Sequence, residues 1–533
     1  MAERKSVYQF GYRRSADQDS KNPVRRPVVI VGAGPVGLTA AIDLAQRGIA
    51  SVILDDADRI GEGSRAICFS KRSLEIVDRL GLGERLVEKG VTWKVGKVFL
   101  GEHQVYSFDL LPEAGHKMPA FINLQQYYLE GYLVERAAEL PLIDLRWRNR
   151  VTAVERHDDF ARLTIETPEG EYRIDAGWCL ACDGARSKVR DCLGLKFEGH
   201  TFEERFLIAD VKMSAEYPTE RWFWFDPPFH SGQSALLHRQ PDNVWRIDLQ
   251  LGPGADPEAE SKPERVLPRL KRMLGERKFE LEWVSVYRFN CARLAKFVHG
   301  RVIFAGDSAH QVSPFGARGA NSGIQDAENL VWKLALVLKG EAPESLIESY
   351  ELERGQAADE NIGHSTRSTD FIAPRTAQER VLRNAVLRLA PHAPFARRMV
   401  NSGRLSVASE YDSPLSTKDQ EEFKGSARLG LPVPDAPLED RNGEQRFLLQ
   451  ALSDEFELLY FRDGARPNVP EGLRLTVIGE DLIDREGFFA ARFDATPGAA
   501  FLLRPDHHLC ARMRRYDGNR VREALARAKG TLR

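Results

Sequence analysis

Glycine spacing and a few carboxylates carry most of the chemistry available to this chain. In VVIVGAGPVGLTAA (Val28 to Ala41) three glycines punctuate the passage from an apolar strand to a helix. Gly32 permits a tight turn, Gly34 lets backbone approach a pyrophosphate, and Gly37 allows close packing of helix on strand. Pro35 and Val36 open the helix, whose first N–H groups and positive dipole end favour phosphate. Asp55 closes the next strand about 20 residues on, where a carboxylate accepts hydrogen bonds from an adenosine ribose. This segment alone suits any adenine dinucleotide.

Two further segments narrow the choice. CDGARSKVR (Cys182 to Arg190) places Asp183, Gly184, Arg186, Ser187 and Arg190 in one turn. RVIFAGDSAHQVSPFGARGANSGIQDAENL (Arg301 to Leu330) runs from a strand through Gly306 and Asp307 to a second glycine-rich helix start. The three together, in this order, resemble the single-component flavoprotein aromatic hydroxylases typified by para-hydroxybenzoate hydroxylase. The resemblance spans roughly residues 27–370 and implies FAD as cofactor, with NADH or NADPH as co-substrate. It implies that Asp307 binds the ribityl hydroxyls. Pro314 and the following loop then lead into a helix from about Ser322. The N–H groups of Gly319, Ala320 and Asn321 would face the pyrimidine side of the flavin and stabilise its reduced, anionic form. Ala320 stands where the family usually has methionine. Asp183 belongs to a fingerprint shared between FAD and reduced nicotinamide, and Arg65 and Gln125 match FAD-contacting positions.

The resemblance also implies a reaction: nicotinamide reduces the flavin, O2 forms a C4a-hydroperoxide, and one oxygen passes to an electron-rich ring. The chain looks most like hydroxylases of 3-hydroxyphenylpropionate, resorcinol-type phenols and polyketide aromatics, and the resemblance points to catabolic ortho- or para-hydroxylation of a monocyclic phenol. Tyr287, in WVSVYRFNCAR, resembles a phenol hydroxylase tyrosine that reaches substrate and flavin, with Trp283 and Arg293 matching the same motif. His238 and Arg246 fall near substrate and flavin positions of para-hydroxybenzoate hydroxylase. With an ordinary pKa of about 6.5, His238 is either a base or a strand histidine bonded to backbone. Trp224, in RWFWF, lines the cavity or belongs to the core, since only two of those four aromatics share a face. His230 is a further substrate candidate, and the strand arginines Arg239 and Arg246 suit a substrate carboxylate. Ile67 stands near the aspartate base of phenol hydroxylase, so a base must come from elsewhere. An epoxidase or reductase on the same fold, or a non-catalytic flavoprotein, are the competing readings.

The elements that must position these residues form an α/β chain. Its expected plan is a Rossmann-like FAD-binding domain (27–194 and 291–400) interleaved with an antiparallel-sheet substrate domain (195–290). A polar arm (1–26) precedes them, and a Pro- and Gly-rich linker (401–445) leads to a thioredoxin-like domain (446–533). Ser70 to Gly90 has the periodicity of a helix. At 533 residues several cores are expected, and 42% hydrophobic content with a net charge of −2 excludes a general nucleic-acid or anionic-membrane binder. No apolar run nears the roughly 20 residues that span a bilayer. The N-terminal stretch has no secretory apolar core, so a cytoplasmic setting is expected. Cys179 and Cys182 lie in the apolar strand WCLACDG and read as buried thiols, with no metal site. A homodimer through the C-terminal domain fits the resemblance.

Overall fold

Val28–Val31 are buried on both faces, as the unbroken apolar run requires, and form the centre of a parallel sheet. The computed structural model describes residues 8–61, 63, 65–252, 254–400 and 405–532. Residues 1–7 of the arm, 401–404 of the linker and Arg533 lie outside the described residues. The sheet runs in the order Val298–His299, Val302–Phe304, Gly170–Ala181, Val24–Val31, Ser51–Asp55, Ile143–Trp147. Its four inner pairings are parallel. Helices Pro35–Gln46 and Gly319–Leu338 pack on it, and Val36 lies so close to Gly323 that a Cβ there would meet it. The second helix starts at Gly319, three residues before the expected Ser322, so Gly319, Ala320 and Asn321 form its first turn. The expected single helix over Ser70 to Gly90 is two, Lys71–Arg79 and Gly83–Lys89, broken where Gly81 takes φ +84°.

The arm is not free. Phe10 stacks on Trp147 at 4.4 Å, and buried Asp17 pairs with Arg26 and Arg146. The first strand therefore begins at Val24 rather than 27.

A seven-stranded sheet faces the first. Its order is Glu280–Tyr287, Arg205–Lys212, Val244–Leu251, Ser234–Arg239, Arg221–Phe225, Val95–Leu100, His103–Asp109. The last two strands lie outside 195–290, which corrects the expected boundary. They join by a parallel pairing of Val95–Leu100 with Arg221–Phe225, a long-range contact that leaves no local signal. Helix Pro263–Leu274 covers the back face through Val266, Leu270 and Leu274. Phe197–Thr201 departs too, pairing with Asn290–Leu294 in a small separate sheet.

The C-terminal unit is a mixed sheet that starts at Pro437, before the expected 446. The stretch before it is no loose linker, since Leu405, Tyr411, Leu415, Ala427 and Val433 are buried. An ionic seam fixes this unit to helices Gly319–Leu338 and Glu348–Ile372. Arg504 donates to Glu353 at 2.5 and 3.1 Å and to Asp506 at 3.0 and 2.5 Å. Lys333 donates to Glu353 at 2.7 Å, and the Trp332 indole donates to Asp506 at 3.0 Å. All of these side chains are buried.

Asp326 is the second buried hub. It accepts from the Gly306 N–H at 2.8 Å, His310 Nε2 at 2.6 Å and Arg354 Nε at 2.6 Å. Burial alone would raise its pKa, but His310, Arg354 and the Gly306 N–H outweigh burial and hold it at about 2. A depressed carboxyl stabilises the fold above its unfolded pKa of about 3.9 and ceases to do so as pH falls through its folded value. Stability should therefore fall between about pH 4 and about pH 2. Asp326→Asn should be less stable at neutral pH by about 3–5 kcal/mol and show a flatter acid dependence. Urea unfolding at pH 7 and pH 3 checks both.

Candidate active site

One cavity of about 1280 Å³ runs from the glycine turn to the face of the antiparallel sheet. At its first end, Gly32 has φ +106°, and a Cβ there would lie 2.5 Å from the Cys182 carbonyl oxygen. A Cβ on Gly37 would sit 2.0 Å from the Gly32 oxygen, whereas one on Gly34 would meet nothing within 4 Å. Two glycines thus serve the turn and its packing, while Gly34 leaves open space in front of the helix N-terminus. Asp55 braces the same turn. Its Oδ2 accepts from the Ala33 N–H at 2.6 Å and its Oδ1 from the Ala57 N–H at 2.9 Å. Each oxygen keeps a lone pair for a further donor, and burial raises the pKa.

Asp183 accepts from the Val189 N–H at 3.0 Å, and its pKa too is raised by burial. Asp307 opens to the cavity, with Oδ1 3.9 Å from where a Cβ on Gly319 would stand. The helix Gly319–Leu338 points its first turn at this space, where its leading N–H groups have no intrahelical partner. Asn321 anchors that turn: Oδ1 accepts from the Ser70 N–H at 2.9 Å, and Nδ2 donates to the Cys68 carbonyl at 2.9 Å. An open backbone cradle, a helix N-terminus and an uncommitted carboxylate are the donor and acceptor set that a flavin dinucleotide needs.

The other end is the inward face of the sheet. Ile208, Arg221, Leu236, His238, Arg246, Asp248, Trp283, Ser285 and Tyr287 line it, together with Trp93 and Ile67. Of the residues singled out from sequence, Gly32, Gly34, Pro35, Val36, Asp55, Arg65, Asp183, Asp307, Pro314, Gly319, Ala320 and Asn321 line the cavity, as do His238, Arg246 and Tyr287.

Five do not. Gly37 and Gly306 lie behind the wall, where a Cβ on Gly306 would meet Val36 at 2.9 Å. Gln125 is buried with both amide atoms unpartnered, and the wall is built by its neighbour Gln126, which accepts from the Ala66 N–H at 3.0 Å. Trp224 faces the back of the sheet against Phe99 and Phe229, because alternation sends Phe223 and Phe225 the other way. His230 ends a short 3-10 turn and is bonded through Nε2 to the Gln250 carbonyl at 2.7 Å.

Two roles change in substance. Arg246 is committed: it grips Asp248 at 2.7 and 3.3 Å and donates to the Arg65 carbonyl at 3.1 Å, tying sheet to loop. His238 is buried, and burial together with Arg221 and Arg246 pushes its pKa well below 6.5. It is a neutral imidazole, hence a hydrogen-bonding group rather than a base poised near neutrality. Tyr287 stays protonated, since burial raises its pKa against the pull of Arg246 and Arg65. Cys179 and Cys182 are buried free thiols with pKa raised by burial. Sequence reasoning passed over Arg221 and Asp248. The signal for Asp248 was there, because residues two apart on a strand share a face and Arg246 needed an acid.

A family model described as FAD binding domain matches residues 25–365. The chain belongs to that family of flavin monooxygenases. It is 31% identical over 516 residues to 6-methylpretetramide 4-monooxygenase of Streptomyces rimosus, covering 92% of this chain and 91% of the relative. It is 28% identical to 3-(3-hydroxy-phenyl)propionate/3-hydroxycinnamic acid hydroxylase of Shigella sonnei, covering 81% and 77%. In fold it matches the flavin-dependent monooxygenase PieE, crystallised with FAD and substrate, with TM-score 0.81 and 22% identity over 96% of this chain and all of that one. The protein is an FAD-dependent monooxygenase, and among the described residues no helix is long and apolar enough to cross a membrane and no metal cluster occurs.

The glycines separate fold from cofactor. Gly37→Ala should destabilise the apoprotein, because backbone oxygen blocks the new Cβ. Gly34→Ala should leave apoprotein unfolding unchanged yet weaken FAD binding by at least about tenfold, or about 1.4 kcal/mol. Thermal unfolding of the apoprotein and a flavin fluorescence titration distinguish the two.

Proposed function

We propose that this protein hydroxylates a phenolic ring, consuming O2 and NADH or NADPH. The observation that carries this reading is the continuity of the cavity: the dinucleotide cradle opens directly onto a sheet face bearing Tyr287, Trp283 and His238. In balance, the ring C–H becomes C–OH, the second oxygen atom leaves as water, and the nicotinamide supplies two electrons. Bound FAD would supply the redox chemistry, taking electrons from the nicotinamide and activating O2.

The chain's own residues have three tasks. Asp307 and Asp183 would accept hydrogen bonds from cofactor hydroxyls, and the first turn of Gly319–Leu338 would offer its positive dipole to the negative charge of a reduced flavin. Trp283, Ile67 and Leu236 keep water away from the reacting centre. Tyr287 donates, and neutral His238 accepts, a hydrogen bond at a phenolic oxygen, fixing the ring against the cofactor. The names of the two relatives favour phenolic acids and fused phenols as substrates. We read the C-terminal unit, whose single cysteine Cys510 is buried, as a packing module of thioredoxin-like form.

The test is nicotinamide oxidation by the FAD-loaded protein across phenols, phenolic acids and aminoarenes, with products weighed by mass spectrometry. Stimulated turnover with one oxygen atom gained supports the reading. Flavin that is reduced and reoxidised with no ring compound ever gaining oxygen would sink it. Tyr287→Phe should lower product formation about tenfold, the value of one hydrogen bond, and divert turnover to hydrogen peroxide with FAD affinity unchanged.

A further inference from the structure

We infer that Arg221 receives an anionic oxygen of the substrate, so that the preferred ring carries an ionised acid group besides its phenol. This rests on the reading of the sheet-side cavity as the substrate pocket. Arg221 opens the strand Arg221–Phe225 and lies on its cavity face, 7% exposed. Its Nε has no hydrogen-bond partner, and among the described residues nothing forms an ion pair or hydrogen bond with its guanidinium. Other buried arginines differ: Arg318, Arg383 and Arg492 donate to backbone carbonyls, and the rest meet acids. Arg72 pairs with Glu328, Arg146 with Asp17, Arg246 with Asp248, Arg354 with Asp326, and Arg504 with Glu353.

The carboxylate that acts on Arg221 is Asp248, and Arg246 already holds both its oxygens. The groups around Arg221 offer no other anion. The Trp93 indole donates to Asn123 Oδ1 at 2.7 Å, the Cys68 thiol donates to the same oxygen at 3.2 Å, and His238 is neutral. Burial lowers the Arg221 pKa, the mark of a charge held where water does not compensate it. A guanidinium stays charged in proteins, and an unpaired buried charge opposes folding. Its planar fork matches a carboxylate or an ionised enol oxygen through paired N–H donors. The aromatic and aliphatic walls of Trp93 and Leu236 beside it accept the ring that bears the group.

The experiment is titration of the FAD-loaded protein, read by flavin difference spectra. The probes are 3-hydroxyphenyl acids with zero to two methylenes, their primary amides, and 2-hydroxy-1,4-naphthoquinone, whose enol is ionised at neutral pH. The expected result is that an anion binds at least tenfold more tightly than its neutral counterpart. Preference for the acids identifies a carboxylate, and preference for the quinone alone identifies an enolate. Arg221→Met should abolish the preference and Arg221→Lys should keep part of it. FAD content should match wild type, with a melting temperature of Arg221→Met no lower than wild type, which a structural role would not give. Equal affinity of wild type for charged and neutral probes, no binding of any probe, or a preference that survives in Arg221→Met, overturns the assignment. If wild type hydroxylates neutral phenols without preferring anions, the assignment falls and the hydroxylase reading stands. If anions bind through Arg221 but no ring gains oxygen, the assignment stands and the hydroxylase reading falls.

Discussion

The contact on which the site depends is the one between Asp326 and the Gly306 N–H. Gly306 precedes Asp307 at the end of a parallel strand, and Asp326 sits two turns into the helix whose first turn faces the same space. Holding these two backbones together sets Asp307 beside Gly319. His310 and Arg354 complete the arrangement, and Arg354 also donates to Ser322 Oγ at 2.8 Å, within the helix's first turns. A small displacement of either element would separate the carboxylate from the N–H groups it works beside. Several donors converge on one carboxylate because a buried anion is tolerated only when its lone pairs are filled.

The same helix carries the C-terminal unit. Its Glu328 accepts from Arg72 and Arg79, and those arginines reach the carbonyls of Asp506 and Pro505. Lys333 and Arg504 then both donate to Glu353, while Arg354 donates to the Tyr411 hydroxyl at 2.8 Å. The segment after 405 and the final sheet are therefore braced against the back of the helix that faces the flavin. Charges at this depth give directional contacts, which apolar packing between Trp332 and Phe456 cannot supply alone. One consequence is mechanical: the unit resists movement of the helix without contributing a side chain to the cavity wall.

Much of the cofactor side was legible in the chain because its information is local. A glycine at a tight turn, a proline at a helix start and an acid at a strand end each act on neighbouring backbone. The substrate side was legible only in outline, because a sheet is assembled from distant strands. Nothing between Val95 and Asp109 announces that it will lie beside Arg221–Phe225, so the sheet seemed to be contained in 195–290. A one-residue choice between Gln125 and Gln126 decides which amide meets the cavity, and composition does not make that choice. Trp224 was misplaced although period-two alternation allowed either face. His238 was judged by its ordinary pKa, whereas its real state depends on two arginines from neighbouring strands.

Carboxylates and cations are both present at the dinucleotide end of the cavity, whereas cations outnumber carboxylates on the antiparallel sheet, and this bears on how the cavity orders its contents. The parallel sheet and its loops contribute the carboxylates Asp55, Asp183 and Asp307 together with the cations Arg65, Arg150, Arg186 and Lys188, and nearby Glu130 is held with a raised pKa by burial. The antiparallel sheet contributes Arg221 and Arg246, with one carboxylate, Asp248, already bound to Arg246. Hydroxyl donors of a cofactor thus meet acceptors at one end. At the other end the anionic group inferred above would meet positive charge from Arg221 and the helix N-terminus. A neutral imidazole between two guanidinium groups fits this polarity, since a proton on His238 would add a third positive charge in the same small volume. Under the proposed function, this field would lower the pKa of the phenol that donates to His238, which reduces the need for a dedicated base at the position that Ile67 occupies.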